Sequence, residues 1–232
     1  ENLSICVIAY NEEKFLPNLL KNIKEQKYPH NFMEIVLVDS ASNDKTKKIM
    51  ELFQQEDNGF YSVQVLDNPK KIQAAGWNVA ITHATGDVIS RIDAHSMLPP
   101  EFSEKVMQNI NQGEDIVGGV RPCIIENDTK WCRNLLNIEN SMFGSSINSS
   151  KRKIQKSYVK TMFHASYRRE IFEHAGLFNE MLLRTEDNEI HYRMRKLGYK
   201  LCYDPEIISY QYARKSLKKM LVQKYKNGLW IG

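Results

Sequence analysis

The sequence has little of what marks several large protein classes. Its four cysteines form no Cys-x-x-Cys pair, so we expect a reducing compartment rather than a thiol-based metal site or a disulfide framework. No apolar run approaches the roughly 18 residues that a membrane-spanning helix needs, and no signal-peptide pattern opens the sequence. The net charge of +4 is small and its charges are interleaved, which argues against a nucleic-acid-binding surface.

Two glycine-rich phosphate-binding motifs are also missing. The first expected strand is followed by "AYNEEKF", which has neither the glycines of a dinucleotide-binding turn nor a Walker lysine loop. If this protein binds a nucleotide, side chains and a metal ion must therefore hold the phosphates.

The sequence does contain a regular alternation of strand and helix patterns. Apolar, β-branched runs at 3–10, 34–39, 61–67, 87–93 and 115–120 alternate with helical periodicity at 11–26, 42–55, 72–85 and 100–112. Such alternation predicts a single α/β domain with a parallel sheet, helices on both faces and ligands at the carboxyl ends of the strands. Further helices are expected at 128–143 and 185–199, separated by a Ser-rich, basic loop.

Polar residues follow four of the expected strands: Tyr10-Asn11-Glu12, Asp39-Ser40, Asp67 to Lys71, and Asp93-Ala94-His95. Asp93 and His95 stand two positions apart where regular pleating ends, and a carboxylate with an imidazole suits Mn²⁺ or a similar ion. The alternative is an aspartate that caps a turn beside a solvated histidine. For Arg91 the pattern indicates only a residue that caps the sheet.

Four segments resemble one known family. "VIAYNEE", "VDSASNDKT", "GWNVAITHATGDVISRIDAHS" and "LLRTEDNEIHYRMRKLGYKL" occur in the order and at roughly the spacing of family 2 glycosyltransferases, and the chain resembles their succinoglycan-biosynthesis (ExoA-type) branch. The resemblance implies a GT-A fold, with a Rossmann-like, mostly parallel sheet and a smaller acceptor-side subregion. It also implies transfer of a sugar, with inversion, from a nucleotide-diphospho-sugar that is UDP-linked by family habit.

The resemblance also assigns a donor site. The base and ribose would be lined by Ala9, Tyr10, Asn11 and Glu12, and the edge of the base would be held by Asp39 with Ser40. The segment from Ile72 to Asn78, which includes Ala75, would pass over the nucleotide, and Asn78 would start the next helix. Lys71 would contact the diphosphate unless it is simply a solvated loop lysine. Asp93-Ala94-His95 replaces the usual Asp-x-Asp and would hold Mn²⁺ or Mg²⁺. Because imidazole carries no negative charge, metal affinity should be lower and should fall below about pH 6.5.

A second group of residues would serve the acceptor. The resemblance makes Asp187, in "RTEDNE", the general base, and Glu186 could orient the acceptor; the alternative is an acidic first turn that complements a helix dipole. Arg193 could reach phosphate or pair with Glu189 at i,i+4. His164 could touch donor or acceptor, or be a satisfied structural histidine.

These expectations divide the chain into a nucleotide-sugar half (1–120), an acceptor half of the same domain (121–212) and a basic amphipathic C-terminal helix (213–232). Residues 214–230 could lie on an anionic membrane surface or pack on the domain. The ends of the sequence suggest a piece of a longer protein. We expect a cytoplasmic enzyme at the inner membrane face with a lipid-linked or saccharide acceptor, no nucleic-acid partner and an oligomeric state that the sequence does not indicate. The alternatives are a non-catalytic nucleotide-sugar-binding domain and a sugar-phosphate nucleotidyltransferase.

Overall fold

The computed structural model describes residues 1–126, 129–140, 155–182, 184–212, 221, 222 and 225. The strands in that part of the chain are β1 (Leu3–Ala9), β2 (Met33–Asp39), β3 (Ser62–Asp67), β4 (Val88–Asp93), β5 (Ser96–Met97), β6 (Ile116–Val120), β7 (Cys123–Ile124), β8 (Ser157–Val159), β9 (Ser166–Arg168), β10 (Leu201–Ile208) and β11 (Tyr210–Tyr212). The α-helices are α1 (Leu16–Lys24), α2 (Thr46–Gln55), α3 (Gln73–His83), α4 (Phe102–Asn111), α5 (Lys130–Asn140), α6 (Ile171–Ala175) and α7 (Glu186–Lys196), and a 3₁₀ turn spans His30–Phe32.

The central sheet has the strand order β3-β2-β1-β4-β9-β6-β10-β8. The pairs β1–β2, β1–β4, β2–β3 and β6–β10 are parallel, so the predicted α/β class and mostly parallel sheet are confirmed. A small second sheet has the order β5-β11-β7, and its strand β5 follows β4 directly in the chain. It therefore borders the end of the strand that carries Asp93.

Strand β9 was not predicted, and neither were the short strands β5, β7 and β8. β9 lies between β4 and β6 and is antiparallel to both. Its three residues are too short to show periodicity, and only tertiary pairing makes them a strand. Because β9 comes from the second half of the chain, the boundary at residue 120 divides the sequence but not the sheet.

Each face of the sheet covers its own hydrophobic core, as the alternation of side chains along a strand requires. Leu3, Ile5 and Val7 of β1 face a core formed with α1, α2 and α4. Cys6 of the same strand faces the other core, with α3, α6 and α7. The expected helices on both faces are thus confirmed, and the sheet is fixed from both sides.

Two helix starts differ from the sequence prediction. Helix α2 begins at Thr46, and its N-cap position is Lys45 rather than Ser42 or Asn43. Helix α3 begins at Gln73, so Asn78 lies inside that helix and does not start it. The Ser42 hydroxyl and the Asn43 backbone N–H are instead hydrogen-bonded to Asn11 of another loop, which no local pattern reveals.

No helix within the described ranges is both long and apolar enough to cross a membrane. The expected basic helix at 213–232 falls almost entirely outside those ranges, as do residues 141–154 of the Ser-rich loop.

The close approach of β6 and β10 requires a glycine at position 119. A Cβ on Gly119 would overlap the backbone carbonyl oxygens of Ile207 and Asp204, whereas a Cβ on Gly118 would meet the end of the flexible Met162 side chain at 2.6 Å. We expect Gly119→Ala to lower the free energy of unfolding by about 2–3 kcal/mol, because backbone cannot move aside, and Gly118→Ala by about 1 kcal/mol or less. Urea unfolding of both variants measures this, and equal losses would contradict the close approach of the two strands.

Candidate active site

The carboxyl ends of four strands meet at one edge of the sheet. In register, Ala9 pairs with Asp39, Asp39 with Asp67, and Ile8 with Asp93. The polar segments that follow these strands are therefore neighbours, as the sequence predicted, and form the site described below.

Several non-glycine residues in the turns at this edge have positive φ angles. Asn11, Ala41 and Lys71, which follow β1, β2 and β3, have φ angles of 55°, 57° and 58°. His164 and Thr185 have φ angles of 46° and 64°. Non-glycine residues in the left-handed region cost about 1–3 kcal/mol each and persist where the surroundings force them, often at functional sites. All five lie beside segments that the sequence assigned to the site.

Hydrogen bonds tie the first two turns together. The backbone N–H of Asn11 donates to Ser42 Oγ at 3.0 Å, and the N–H of Asn43 donates back to Asn11 Oδ1 at 2.9 Å. The N–H of Glu12 donates to Thr46 Oγ1 at 2.8 Å. Tyr10, between these anchored residues, is 52% exposed. The fixed turn thus presents one aromatic ring to solvent, on which a nucleobase could stack.

Asp39 and Ser40 form the floor of the same edge. Asp39 is buried, and its carboxylate accepts the N–H of Ser42 at 3.1 Å. Ser40 accepts a hydrogen bond from Asn68 Nδ2 at 3.1 Å. Asp39 thus fixes the turn above it, and contact of Asp39 and Ser40 with a nucleotide stays a prediction.

Asp93 is hydrogen-bonded to a histidine from a distant segment of the chain. His164 Nε2 lies 3.2 Å from Asp93 Oδ2 and its Nδ1 lies 2.8 Å from Ser209 Oγ; these partners assign Nε2 as the donor to the carboxylate. Burial would raise the pKa of Asp93, but the hydrogen bond with His164 and the charge of Arg121, 3.8 Å away, hold it well below its usual range. His164 is buried with both ring nitrogens engaged by protein groups, as the structural alternative expects, and its contact with donor or acceptor stays a prediction.

His95 is engaged on both ring nitrogens. Nδ1 lies 3.3 Å from Glu12 Oε1, and Nε2 lies 2.8 Å from Nε2 of Gln211. Burial lowers the pKa of His95, but the hydrogen bond with Glu12 and the charge of Asp93 outweigh it and raise that pKa. His95 could therefore bind a metal only after releasing Gln211 or Glu12 and in its neutral form.

The donor set fits a divalent ion in part. Within the ranges described, no group of three or more His, Cys, Asp or Glu side chains is arranged to hold a metal. The Asp93 side chain is 21% exposed at the strand end, and Mg²⁺-type ions are commonly held by one or two carboxylates plus substrate phosphates. Asp93 suits that role, whereas His95 does not in the arrangement seen here.

Asp187 reaches the same edge from the first turn of α7. Its Oδ1 lies 2.6 Å from Nη2 of Arg91, and the Asp187 side chain is 20% exposed. Arg91 belongs to β4, two positions before Asp93, and is 4% exposed. The prediction that Arg91 caps the sheet was wrong, since it is buried within the sheet and bonded to α7. No sequence signal paired it with Asp187, because 96 residues separate them.

Arg91 is also the start of a buried polar chain. Its Nη1 donates to Tyr167 Oη at 3.2 Å, Tyr167 Oη lies 2.8 Å from His191 Nε2, and Thr161 Oγ1 lies 3.0 Å from His191 Nδ1. This chain connects β4, β9 and α7 beneath the site. Sequence reasoning missed Tyr167 and His191 because neither stands near a strand end in the expected parallel sheet.

Glu186 is nearly buried beside Asp187. It is 7% exposed, and burial, followed by the neighbouring charge of Asp187, raises its pKa. Glu186 thus adjoins Asp187 in the first turn of α7, and its contact with acceptor hydroxyls stays a prediction.

Three other expected residues are placed within the protein rather than open to a ligand. Asn78 is buried, and its side chain bonds the backbone N–H of Phe178 at 2.8 Å and its carbonyl at 2.9 Å. Ala75 and Ala94 are each 2% exposed. Asn78 therefore fastens the 178–180 loop over α3, and its assignment as a nucleotide-binding residue is corrected to this supporting contact.

Arg193 pairs with Glu189, which was the second of the two possibilities given by the sequence. Its Nε lies 2.6 Å from Glu189 Oε1, and its guanidinium also donates to the carbonyls of Ala175 and Leu177. With its donors used by helix α7 and the loop after α6, Arg193 is corrected from a phosphate contact to a support of that loop. For Lys71, the positive φ angle places the backbone at the edge, and contact with a diphosphate stays a prediction.

Comparisons with known proteins found matches to one family. The family model described as "Glycosyl transferase family 2" matches residues 4–176. The chain is 28% identical, over 97% of its length and 71% of the relative, to a dolichyl N-acetyl-α-D-glucosaminyl phosphate 3-β-D-2,3-diacetamido-2,3-dideoxy-β-D-glucuronosyltransferase of Methanococcus voltae. It is 26% identical, over 97% of its length and 67% of the relative, to the succinoglycan biosynthesis protein ExoA of Rhizobium meliloti.

Solved structures show the same fold. S. aureus TarS 1-349 in complex with UDP-GlcNAc aligns with a TM-score of 0.71 at 19% identity, over 93% of this chain and 60% of that one. The mannosyltransferase PcManGT of Pyrobaculum calidifontis, in complex with GDP-Man and Mn²⁺, aligns with a TM-score of 0.70 at 21% identity, over 90% and 56%. The chain thus spans little more than half of these neighbours, and the expected GT-A fold is confirmed.

The buried histidine of the polar chain gives a prediction for stability against pH. Burial lowers the pKa of His191 from 6.5 to about 4. Because the unfolded chain takes up this proton first, stability is full above pH 6.5 and is lost as the pH falls. Between pH 7.5 and pH 5 we expect this group to remove about 2 kcal/mol from the free energy of unfolding. Urea unfolding at both pH values should show a smaller loss in His191→Gln, and an equal loss would contradict a neutral, buried His191.

Proposed function

Because the chain belongs to glycosyl transferase family 2 and is a glycosyltransferase, we propose that it moves a sugar, with inversion, from a UDP-sugar to a lipid-linked or polysaccharide acceptor. The observation that carries this proposal is the placement of Asp187. It forms an ion pair with Arg91 of β4, two positions before Asp93, so two carboxylates lie at one edge of the sheet, and we assign Asp93 to the donor and Asp187 to the acceptor.

The donor would lie along the ends of β1, β2 and β4. Tyr10 offers an exposed ring for the base, and Asp39 lies at the floor where the base edge would rest. The diphosphate would point toward Asp93. A divalent ion bound there would neutralise the charge of the departing diphosphate.

The chain's own residues would direct the displacement. An acceptor hydroxyl oxygen forms the new bond to the anomeric carbon as the bond from that carbon to the diphosphate oxygen breaks, and the hydroxyl proton goes to Asp187. UDP leaves on the opposite side. A single base suffices for one in-line displacement, whereas a retaining glycosidase needs a second carboxylate as nucleophile.

The acceptor class comes from the relatives. One curated relative acts on a dolichyl-phosphate-linked sugar by its name, one is named for succinoglycan biosynthesis, and others are named undecaprenyl-phosphate 4-deoxy-4-formamido-L-arabinose transferases. We propose a polyprenyl-phosphate-linked acceptor for this chain, reached at the cytoplasmic membrane face. The exposed Leu221, Val222 and Tyr225 are consistent with peripheral contact of the C-terminal region.

The proposed donor site predicts metal-dependent nucleotide binding. In calorimetric titrations we expect UDP to bind wild-type protein more tightly with Mn²⁺ than with EDTA, and more tightly than GDP. Asp93→Ala should weaken UDP binding in Mn²⁺ at least about tenfold, because it removes the charged metal ligand. Asp187→Asn serves as the matched control and should bind UDP normally, since it lies on the acceptor side. If UDP bound under no metal condition, the donor assignment would be wrong.

Transfer itself depends on Asp187 in this proposal. We expect wild-type protein to release UDP from UDP-GlcNAc, UDP-glucose or UDP-galactose when polyprenyl-phosphate-linked N-acetylglucosamine is supplied. Asp187→Asn should lower kcat at least about 100-fold because no base accepts the hydroxyl proton. A non-catalytic binding domain would bind UDP yet release none, and near-normal turnover by Asp187→Asn would remove that residue as the base.

The role of His95 can be tested separately. We propose that neutral His95 becomes a second metal ligand by exchanging Gln211 for the ion. His95→Ala should then reduce the tightening of UDP binding by Mn²⁺ by a smaller factor than Asp93→Ala, and wild-type tightening should weaken as the pH falls, because the raised pKa of His95 favours the protonated ring. Unchanged tightening in His95→Ala would restrict the protein ligands to Asp93.

A further inference from the structure

We propose that Arg91 is a positioning residue for catalysis, which holds the Asp187 carboxylate in the direction needed to accept the acceptor's proton. The inference rests on the proposed function, because it assumes that Asp187 is the base. It concerns a residue that the sequence assigned only to the edge of the sheet.

The first support is where Arg91 lies. An arginine that is 4% exposed in one of the two central strands of an eight-stranded sheet is costly, because only good geometry and pairing offset the removal of its charge from water. Replacing a buried ion pair by apolar residues is often neutral or stabilising. Fold stability alone is therefore a weak reason for a guanidinium at this position.

The second support is how tightly the guanidinium is oriented. Its central carbon lies 4.5 Å from the Trp77 ring centroid and 4.4 Å from the Phe178 ring centroid, so two aromatic rings hold the plane in place. Nη1 is fixed by the hydroxyl of Tyr167 at 3.2 Å. Tyr167 is in turn held by His191 of α7 at 2.8 Å. Each contact restricts Arg91 to one direction.

That direction is toward Asp187. Nη2 of Arg91 lies 2.6 Å from Oδ1 of Asp187, so the ion pair positions one oxygen of the carboxylate. The Asp187 side chain is still 20% exposed, so part of the carboxylate remains accessible to solvent. Helix α7 starts after Thr185, whose φ of 64° lies in the left-handed region. This conformation costs free energy in a non-glycine residue, so the surrounding structure must hold the start of the helix in place. The ion pair and the strained start together fix the first turn of α7 against β4.

Fixed orientation is what a general base requires. A base must lie within about 2.6–3.2 Å of the proton that it takes, and a displacement of about 1 Å can cost about 100-fold in rate. Without an ion pair, a carboxylate on the first turn of a helix would populate several rotamers. The contact with Arg91 restricts Asp187 to one rotamer before the acceptor binds.

The test replaces the charge and keeps the volume. In the UDP-release assay, Arg91→Met should lower kcat about 100-fold, with the Kd for UDP in Mn²⁺ changed by less than about threefold because the donor residues are intact. Arg168→Met is the matched control: Arg168 lies on the adjacent strand β9 and pairs with Glu1 at 3.0 Å, outside the site. We expect that control to keep kcat within about twofold. Arg91→Met with wild-type kcat at temperatures where it is folded would overturn the inference.

A double-mutant cycle separates positioning from a general structural role. If Arg91 acts through Asp187, adding Arg91→Met to Asp187→Asn should lower kcat by less than about threefold further, because the effects of a coupled pair are not additive. A further loss near 100-fold would mean that Arg91 acts on something else, and the inference fails. If Asp187→Asn alone turns over normally, the proposed base fails instead, so the two failures are distinguishable.

A second variant covers the case in which Arg91→Met does not fold. Arg91→Lys keeps the charge and lacks the planar fork that contacts Tyr167 and Asp187 together. We expect its kcat to fall at least about tenfold with normal UDP binding. Wild-type kcat in this variant would overturn the inference as well, since the fork would then be dispensable.

Discussion

Parallel pairing of β1 with β2 and β4 is the constraint on which the site depends. It aligns the carboxyl ends of these strands, so that turns far apart in the sequence become neighbours at one edge. The two hydrophobic cores fix the sheet from both faces. What lies at the edge is then decided by a few polar contacts: Asn11 with Ser42 and Asn43, Asp93 with His164, and Asp187 with Arg91.

The sequence predicted the parts of the structure that depend on local pattern. Strands β1 to β4 and helices α1 and α3 were expected from periodicity alone, and their order implied where polar residues would gather. The edge residues Asp39 and Asp93 followed from that order. The resemblance to one family added Asp187, which no periodicity singles out.

The remaining features depend on contacts between distant segments. Strand β9 is three residues long and forms only because β4 and β6 flank it. Asn78 looked like a ligand-binding residue, yet it bonds the backbone of Phe178, 100 residues away. Arg91 was taken for a sheet cap because its partner is on α7. In each case the deciding partner is set by tertiary packing, which a single sequence does not show.

The central claim is that one carboxylate, Asp187, directs a single in-line displacement at the anomeric carbon. The most direct test is the anomeric configuration of the product, read by proton NMR from the coupling at the transferred sugar's anomeric proton. An α-linked UDP-sugar should give a β-linked product, because attack comes from the side opposite the leaving diphosphate. An α-linked product would contradict the account, since retention requires either a second displacement or attack from the leaving-group side.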